Sequence, residues 1–411
     1  MSTTPDQITD LIGGYTDLKN YFEQARTEMQ PFMAAVQHPN QVTLEVGTGK
    51  QFAHPVDAWL HIQNHVMANN IAWRMVIYPN VYEFPYKGYQ NCHFQHSKQV
   101  EIVSSTNNAA DVVWQSNTDH PGPWLIIADY NCYLTINHIT FKDNRAMTKD
   151  RVIAISERNL VNNNAGGWVH GISGHFNSTL RVNSCRFANL WNAISIHDSS
   201  QAYIGECVGT NVVHGVGAQR TSYVSMNRCQ WTGIGDTADT WRYGYGAGAH
   251  HSSVLHAHGN SISNFWTGVQ AHWNADVHFN RIDDSSGTVN GSITNCYRGV
   301  DILNQSGGNF TYTTISNSLG HAFVTRHGSS VFAHDNVTID GANYGFYCHH
   351  IASIVANYST VKNCRGYGFH ASYLAEIHAS GTQAKVSGNA VNYSPGTSHT
   401  PGNFGGQIYI S

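Results

Sequence analysis

Three consecutive segments of the sequence have the same length and the same pattern of apolar residues. They cover residues 306–328, 329–351 and 352–374, and each is 23 residues long. The phenylalanines of these segments fall at one position of the repeat, at Phe323, Phe346 and Phe369. Self-similarity at a fixed period of about 20 to 50 residues is typical of a solenoid, in which each repeat stacks on its neighbour. Any fold for this chain therefore has to place these three phenylalanines above one another.

The repeat continues towards the N-terminus with small changes in its length. Val300 stands 23 residues before Phe323, and residues 187–197 (FANLWNAISIH) are similar to 262–272 (ISNFWTGVQAH). Cysteines recur at steps of 22 residues, at Cys185, Cys207 and Cys229. Within each unit the apolar residues alternate, as they do in β-strands, and helical spacing is absent. The repeated leucine frame of leucine-rich repeats is also missing, so the pattern predicts a parallel β-helix.

Residues 100–394 leave room for roughly a dozen coils of such a helix, each with about three short strands. At a strand spacing of about 4.8 Å, these coils form a rod on the order of 60 Å long. We therefore predict an all-β chain whose parallel β-helix covers residues 96–394. A lead-in with a capping helix is predicted at 41–95 and a C-terminal tail at 395–411.

The stretch YGFYCHHIASIVA (344–356) places a cysteine beside two histidines, as many metal sites do. Side chains alternate across a strand, so Phe346 and Cys348 are predicted to point inward, and Tyr347 and His349 outward. Cys348 and His349 then cannot share a metal ion, and we expect no metal site and no cofactor. The cysteine column at 185, 207 and 229 is interpreted in the same way, as stacked core residues, with a disulfide between neighbouring coils as the alternative.

The composition excludes some classes of function. The formal net charge is -4 and charged residues make up 12% of the chain, so no basic surface for nucleic acid is expected. No apolar run reaches the roughly 18 residues of a membrane span. The beginning of the sequence, MSTTPDQITD, lacks the features of a secretory signal. We therefore expect free thiols from a reducing compartment and no membrane insertion.

Asparagines recur where each coil has to turn. They lie shortly after an inward apolar residue, at Asn189, Asn264, Asn295, Asn317 and Asn363, with Asp340 at the matching place in one coil. Asparagine tolerates left-handed backbone and its side chain bonds to nearby backbone groups. A stacked column of asparagines at the turns is therefore predicted, with a structural role.

A second set of polar residues is predicted to form a ridge along one edge of the β-helix. Histidines take equivalent outward positions near the strand ends, at His197, His250, His272 and His349, and the ridge positions follow at Asp198, His251, Trp273, His327, His350 and Tyr373. One interpretation is a solvated ladder of side chains packed on one another. The other is a platform for sugar rings, whose apolar C–H faces stack on aromatic rings. On this second interpretation His251, Trp273, His327, His350 and Tyr373 bind glycan.

Two coils carry insertions. Residues 233–246 bring together two carboxylates with Arg and aromatic residues, namely Asp236, Asp239, Trp241, Arg242, Tyr243 and Tyr245. A glycosidase needs two carboxyl groups about 5 to 9.5 Å apart, so Asp236 and Asp239 are the candidate catalytic pair, and the other four are candidate binding residues. Residues 280–291 add Asp283 and Asp284. These insertions leave from different turns of the coil, and further candidate carboxylates are Asp198, Glu206 and Asp301.

The first 40 residues differ from the rest. Apolar residues follow one another there in steps of three and four, at Ile8, Leu11, Tyr15, Leu18, Phe22, Ala25, Met29 and Phe32. This is a heptad seam, and it predicts a helix over 15–30 that is marginal on its own. We expect the seam to pack against copies of itself or a partner; the alternative is a helix lying on its own domain.

A heptad head followed by GTGKQFAHPVDAWLHI, VIYPNVYEF and coils of 22 to 23 residues resembles the pectate-lyase-like, right-handed β-helix spikes of tailed bacteriophages. The closing NYSPGTSHTPGNFGG (392–406) also resembles the ends of such proteins. The resemblance implies a homotrimer, made in the host cytoplasm and built into the virion. Its N-terminal segment is then bound to other virion proteins, and its β-helix is presented to host surface glycan.

Three functions remain open from the sequence. The first is a virion spike or fibre that binds host surface polysaccharide, with or without cleaving it. The second is a structural virion component, such as a collar or head fibre. The third is a free polysaccharide hydrolase or lyase, which the heptad head and the missing secretion signal disfavour.

Overall fold

The structure is a computed structural model that describes residues 41–64, 72–117, 124–159, 168–235, 244–381, 385–394 and 405–410. The predicted N-terminal helical segment lies outside these residues, and the predicted domain boundaries stay predictions. The described chain winds into a right-handed parallel β-helix with three long sheets, as the repeat pattern predicts. We call these sheets A, B and C in the order in which each coil passes through them.

Sheet A has 14 parallel strands. Their bounds are Gln41–Val46, Ala72–Ile77, Gln99–Ser104, Tyr133–Asn137, Thr179–Asn183, Gln201–Gly205, Tyr223–Asn227, Val254–His258, Asp276–Asn280, Gly307–Thr311, Ser330–His334, Ser353–Val355, Glu376–His378 and Gln407–Tyr409. Sheet B has 12 strands. Their bounds are Asn80–Phe84, Val112–Ser116, Thr140–Asp143, Arg186–Ala188, Val208–Thr210, Gln230–Thr232, Ser261–Ser263, Gly291–Thr294, Thr313–Ser316, Thr338–Asp340, Thr360–Lys362 and Val386–Ser387.

Sheet C also has 12 strands. Their bounds are Cys92–Phe94, Trp124–Ala128, His170–Gly174, Asn192–Ile196, His214–Gln219, Tyr245–His250, Thr267–His272, Arg298–Leu303, His321–Arg326, Tyr344–His349, Tyr367–Ser372 and Val391–Ser394. Each strand pairs in parallel with the equivalent strand of the next coil, so residues one coil apart lie about 4.8 Å from each other. Position along the rod can therefore be counted in coils.

The interior is a set of stacked side-chain columns. Phe323, Phe346 and Phe369 are fully buried, and their ring centroids are 4.9 Å and 5.2 Å apart, which confirms the predicted column. Val300 pairs with Phe323 in the same column. Each ring fills the space between its two neighbours. The rings can stack in this way only if every coil returns its phenylalanine to the same position, which fixes the repeat length.

The cysteines are core residues. All eight lie within the described ranges and are buried free thiols. Cys348 aligns with Thr325 and Ala371, and burial raises the pKa of its thiol well above the usual range. In the predicted column, the backbone N–H of Cys207 donates to Sγ of Cys229 at 3.4 Å. The prediction that Cys348 is a core residue is confirmed.

The asparagine column lies at the turn from sheet B into sheet C. The backbone there is left-handed at each asparagine named in the prediction, with φ between 54° and 62°. One detail of the prediction is wrong: Asp340 is the last residue of its strand, and Gly341 takes the left-handed position with φ 78°. Glycine has no Cβ and adopts this conformation freely. Asp340 remains bound to the column, because Nδ2 of Asn363 donates to its carboxylate at 2.8 Å.

Two helices interrupt the coils within the described residues. Helix α1 (Pro55–Asn64) takes the place of the first sheet B and sheet C strands, and it buries Val56, Trp59 and Ile62. Helix α2 (Lys149–Asn159) was not predicted. It lies in an insertion between sheet B and sheet C. A fully buried carboxylate, Asp143, anchors it through ion pairs with Arg145 at 2.9 Å and Arg151 at 2.6 Å.

The two predicted insertions leave from different edges, as expected. The first begins after the sheet B strand Gln230–Thr232 and so leaves from the edge between sheets B and C. The second forms a two-stranded hairpin, Ile282–Asp284 with Gly287–Val289, at the edge between sheets A and B. Helix α2 leaves from the same edge as the first insertion.

Candidate functional site

The outer face of sheet C holds the polar residues that the sequence singled out. Along each strand, alternate residues point into the core and out of it. The face has two borders: the turn that leads from each sheet C strand into sheet A, and the turn that leads from sheet B into sheet C. We call these borders the ridge and the Trp edge.

The ridge consists of nine residues from successive coils, each of which follows a sheet C strand or its terminal outward histidine. Its members are Phe176, Asp198, Arg220, His251, Trp273, Asn304, His327, His350 and Tyr373. Each has left-handed backbone, with φ between 50° and 60°. Bulky residues are outliers in this conformation, and such outliers gather at functional sites. The ridge residues with large rings therefore adopt a backbone conformation that bulky residues disfavour.

The structure brings the predicted ridge residues together in two groups. His251 and Trp273 are stacked, with ring centroids 4.6 Å apart and planes 2° from parallel. In the second group, the ring centroid of His350 lies 4.9 Å from that of His327 on one side and 4.9 Å from that of Tyr373 on the other. Asn304 separates the groups. Trp273 is 48% exposed, so one large ring face is open to solvent.

A shallow groove of about 710 Å³ lies at the N-terminal part of the ridge. It is lined by Phe176, Asn177, Asp198, Ser199, Arg220, Thr221 and His251. Arg220 forms an ion pair with Asp198 at 3.4 Å, between the rings of Phe176 and His251. A charged pair with hydroxyl groups and a ring at either end offers both stacking and hydrogen bonds to a ligand.

The Trp edge was not predicted as a site. Trp191, Trp266 and Tyr297 each directly precede a sheet C strand. Trp266 stacks on Tyr297 with centroids 3.9 Å apart and planes 9° from parallel, and Trp168 lies 5.4 Å from Trp191. The similarity of FANLW to ISNFW could have indicated this column, because it puts Trp191 and Trp266 at one position of the repeat. Aromatic rings therefore border the face on both sides.

Histidine and tyrosine rings form much of the floor between the borders. His321 stacks on Tyr347 at 4.8 Å, and Tyr347 stacks on His370 at 5.3 Å. Tyr245, a predicted binding residue, begins a strand and is only 8% exposed, with its ring 4.5 Å from His214. It therefore supports the floor and does not offer an open ring face.

Burial keeps several of these histidines uncharged. Desolvation lowers the pKa of His214 and of His321 to about 4, and that of His250 to about 3. It also lowers the pKa of His272. The charged form loses its hydration when the ring is buried, so these rings are neutral near pH 7. The charge of the floor is then set by its arginines and carboxylates.

One ion cluster lies in the middle of the floor. Asp301 is buried, and its carboxylate contacts Arg298 at 2.5 Å and Arg326 at 3.6 Å. Asp301 is the only carboxylate in the twelve sheet C strands. Its position in the repeat gave it as a candidate from sequence, but the two arginines beside it were not predicted.

A second chain of polar contacts has the residue types of a catalytic triad. Ser173 Oγ lies 2.6 Å from Nε2 of His175, whose Nδ1 lies 3.5 Å from Asp198. Ser173 is fully buried, so its hydroxyl cannot reach a substrate. The next coil repeats the pair as Ser195 and His197, 2.7 Å apart. The repetition favours a structural ladder that satisfies buried polar groups.

Five of the predicted insertion residues lie outside the described residues. They are Asp236, Asp239, Trp241, Arg242 and Tyr243. Of the other carboxylates, Asp284 is bound to Arg228 at 2.5 Å in the hairpin at the edge between sheets A and B, away from sheet C. Glu206 follows a sheet A strand and lies at that same edge. These two carboxylates are therefore separated from the ridge.

Among the predicted carboxylates that the structure describes, Asp198 and Asp301 lie on this side of the molecule. Four coils separate them, which corresponds to about 19 Å. The carboxyl groups of a glycosidase are about 5 to 9.5 Å apart. Asp198 and Asp301 are therefore too distant to act on one glycosidic bond.

Comparison with known proteins identifies no family for this chain. No protein-family model matches it, and no curated protein matches its sequence. Among solved structures, the periplasmic alginate epimerase AlgG covers 78% of this chain with 77% of its own, at 9% identity and a TM-score of 0.41. A pectin methylesterase mutant in complex with a hexasaccharide covers 67% with 79% of its own, at 10% identity and a TM-score of 0.35.

The A-module of the Azotobacter vinelandii mannuronan C-5 epimerase AlgE4 is also similar. It covers 83% of this chain with 89% of its own, at 9% identity and a TM-score of 0.30. At these identities and TM-scores, what the sheet C face binds has to be argued from its own residues.

Within the described ranges, no three or more His, Cys, Asp or Glu side chains are grouped as metal ligands would be. No helix within those ranges has the length and apolar character needed to cross a membrane.

Proposed function

We propose that this protein binds polysaccharide along the outer face of sheet C. The observation that carries the proposal is the pair of aromatic borders, the ridge and the Trp edge, on either side of a floor of polar side chains. Sugar rings have apolar C–H faces that pack on aromatic rings, and hydroxyls that need hydrogen-bond partners. The face offers both, with rings at several coils of each border and polar side chains on the floor between them.

The dimensions favour a long ligand. The ridge has nine members, from Phe176 to Tyr373, which come from nine successive coils. Eight coil steps correspond to about 38 Å. A face of this length suits an oligosaccharide or polymer lying along the rod and is much longer than a single sugar requires.

The biological setting is proposed from the sequence resemblance. We infer a homotrimeric virion spike or fibre, held by its N-terminal segment to other virion proteins and presenting sheet C to host surface polysaccharide. The heptad seam in the first 40 residues supports the oligomeric part of this proposal. A structural virion component remains the alternative, and it requires no glycan affinity of the sheet C face.

Binding of the purified protein to an array of bacterial surface glycans tests the proposal. We expect at least one glycan to bind, and binding to fall in variants of ridge residues such as Trp273→Ala. The matched control is Phe332→Ala, because Phe332 is 49% exposed on the outer face of sheet A. Absence of binding to every glycan, with a fixed position in the virion, would favour the structural role.

Cleavage of the bound glycan stays a prediction from the sequence. Release of new reducing ends from a bound glycan would show cleavage, by hydrolysis or by elimination. Asp236→Ala and Asp239→Ala then test the predicted catalytic pair. Full activity in both variants would rule this pair out and leave the binding proposal intact.

A further inference from the structure

We propose that the polysaccharide bound by sheet C is anionic, and that Arg298 and Arg326 hold its carboxylate, phosphate or sulfate groups. This inference rests on the proposed function and adds the class of ligand to it. It comes from the ion cluster in the middle of the floor, which has more positive than negative charge.

The two arginines begin at opposite borders of the face, and their guanidinium groups meet at Asp301. Arg298 directly follows Tyr297 of the Trp edge, and Arg326 directly precedes His327 of the ridge. Asp301 lies between them, in contact with both. A ligand lying along the floor between the two aromatic borders therefore has to cross this cluster.

The charge of the cluster is unbalanced. One carboxylate, 3% exposed, faces two guanidinium groups whose side chains are 25% and 26% exposed. The neighbouring imidazole rings of His272 and His321 add no charge to the cluster, because desolvation lowers their pKa and keeps them neutral near pH 7. Gln270, which pairs with Asp301 on the preceding strand, is also uncharged. A net positive charge of one therefore remains on a partly desolvated floor, where charges are screened less than in water.

The guanidinium groups are accessible to a ligand, whereas the carboxylate is not. The side chains of Arg298 and Arg326 are 25% and 26% exposed, but Oδ1 of Asp301 and Nε of each arginine are buried. Guanidinium groups match the geometry of carboxylate and phosphate oxygens, so the exposed parts of the two arginines can donate to such groups. An acidic sugar supplies these oxygens.

A purely structural role for the cluster predicts something different. An ion pair that only fixes the strands needs one arginine for Asp301 and has no effect on ligand choice. Val324 occupies the position of Asp301 on the next strand, so the fold accepts an apolar residue there. Selectivity for ligand charge therefore separates the two roles.

The test uses pairs of glycans that share a backbone and differ in charge. An anionic surface polysaccharide that binds in the array is compared with the same polymer after its carboxyl groups are reduced or its phosphate or sulfate groups are removed. We expect the neutral form to bind at least about 10-fold more weakly, as for loss of a charge-assisted hydrogen bond. We also expect affinity for the anionic form to fall as salt rises.

Substitutions then locate the effect. Arg326→Gln is expected to weaken binding of the anionic form by about 10-fold or more and to leave the neutral form unchanged, whereas Arg326→Lys keeps much of the affinity. Arg181→Gln, on the outer face of sheet A, is the matched control and should change neither. Asp301→Asn removes the competing carboxylate and should raise affinity for the anionic form.

The outcomes distinguish the two proposals. If the protein binds only neutral glycans, or if Arg326→Gln weakens both forms equally, the inference is wrong and the proposed function stands. If no glycan binds, the proposed function fails, and the inference fails with it. Should Asp301→Asn not fold, the contrast between Arg326→Gln and Arg326→Lys still decides the inference.

Discussion

The indole ring of Trp273 lies flat against the imidazole ring of His251 from the preceding coil, with centroids 4.6 Å apart and planes 2° from parallel. Both residues have left-handed backbone, with φ of 60° and 52°. The coil spacing of the β-helix sets the distance between them, and stacking fixes the orientation of the exposed indole. A ring held in this way loses little conformational freedom when a sugar packs on it.

Removal of this ring should weaken glycan binding without unfolding the protein. For Trp273→Ala we expect an affinity loss of about 2- to 10-fold, the usual size of one aromatic contact. Isothermal titration with a glycan from the array measures the loss, and the melting temperature reports the fold. The control Phe332→Ala removes a similarly exposed ring from sheet A and should leave affinity unchanged. Equal losses in both variants would mean that the ridge is not the site.

The phenylalanine column should carry a large share of local stability. Phe346→Ala leaves a cavity between Phe323 and Phe369 that the neighbouring coils cannot close, since strand spacing is fixed by backbone hydrogen bonds. We expect a loss of about 3 to 5 kcal/mol in the free energy of unfolding, measured with urea. Tyr358→Ala, at a side chain that is 55% exposed, should cost less than about 1 kcal/mol. A small effect at Phe346 would contradict the stacked core.

The asparagine column makes a prediction about backbone conformation. Asn295 has φ 54° and is exposed, so its side chain contributes little to the core. Asn295→Ala should lower the free energy of unfolding by about 1 kcal/mol, because a Cβ without a local hydrogen bond disfavours left-handed backbone. Asn295→Gly should be close to neutral, as glycine adopts this conformation freely. Thermal unfolding of the two variants side by side gives the difference, and a better tolerated alanine would count against the structural role of the column.

Stability should fall as the pH drops below neutral. Burial lowers the pKa of His214 to about 4, whereas an unfolded histidine titrates near 6.5. Between pH 6.5 and 4 the unfolded chain therefore binds a proton that the folded chain does not. Each such histidine then reduces the free energy of unfolding by up to about 1.4 kcal/mol per pH unit, and the loss levels off below pH 4.

Urea midpoints at pH 7, 6, 5 and 4 measure this slope. His214→Gln should make it shallower, and the control His96→Gln, at an exposed position, should not. A stability that is constant from pH 7 to 4 would show that these rings are not buried as neutral groups.

The repeat pattern was enough to predict the fold because a β-helix repeats its packing at every coil. Phe346 has the same environment as Phe323 and Phe369, so the structure of one segment predicts that of the next. The same logic gave the inward position of Cys348 and the shared edge of His251 and Trp273. It was wrong at Asp340 by one residue, since either asparagine or glycine fills the left-handed position and Gly341 was available next to it.

Features that occur once could not be predicted in this way. Helix α2 lies in an insertion and depends on its own small apolar cluster of Met147, Val152 and Val213, together with the buried carboxylate of Asp143. The ion cluster at Asp301 forms from residues three positions apart on one strand and one coil away on the next. Their proximity depends on the exact register between neighbouring coils. The repeat length varies from coil to coil, so this register cannot be obtained from the sequence alone.

The central claim is that polysaccharide lies on sheet C, and hydroxyl-radical footprinting with a bound glycan tests it most directly. The account predicts that the glycan protects Trp273 and Tyr373 on the ridge and Trp266 on the opposite border. Exposed rings on the outer face of sheet A, Tyr203 and Phe332, should be modified equally with and without glycan. Protection of Tyr203 and Phe332, with Trp266 and Trp273 unchanged, would place the ligand on sheet A and contradict the account.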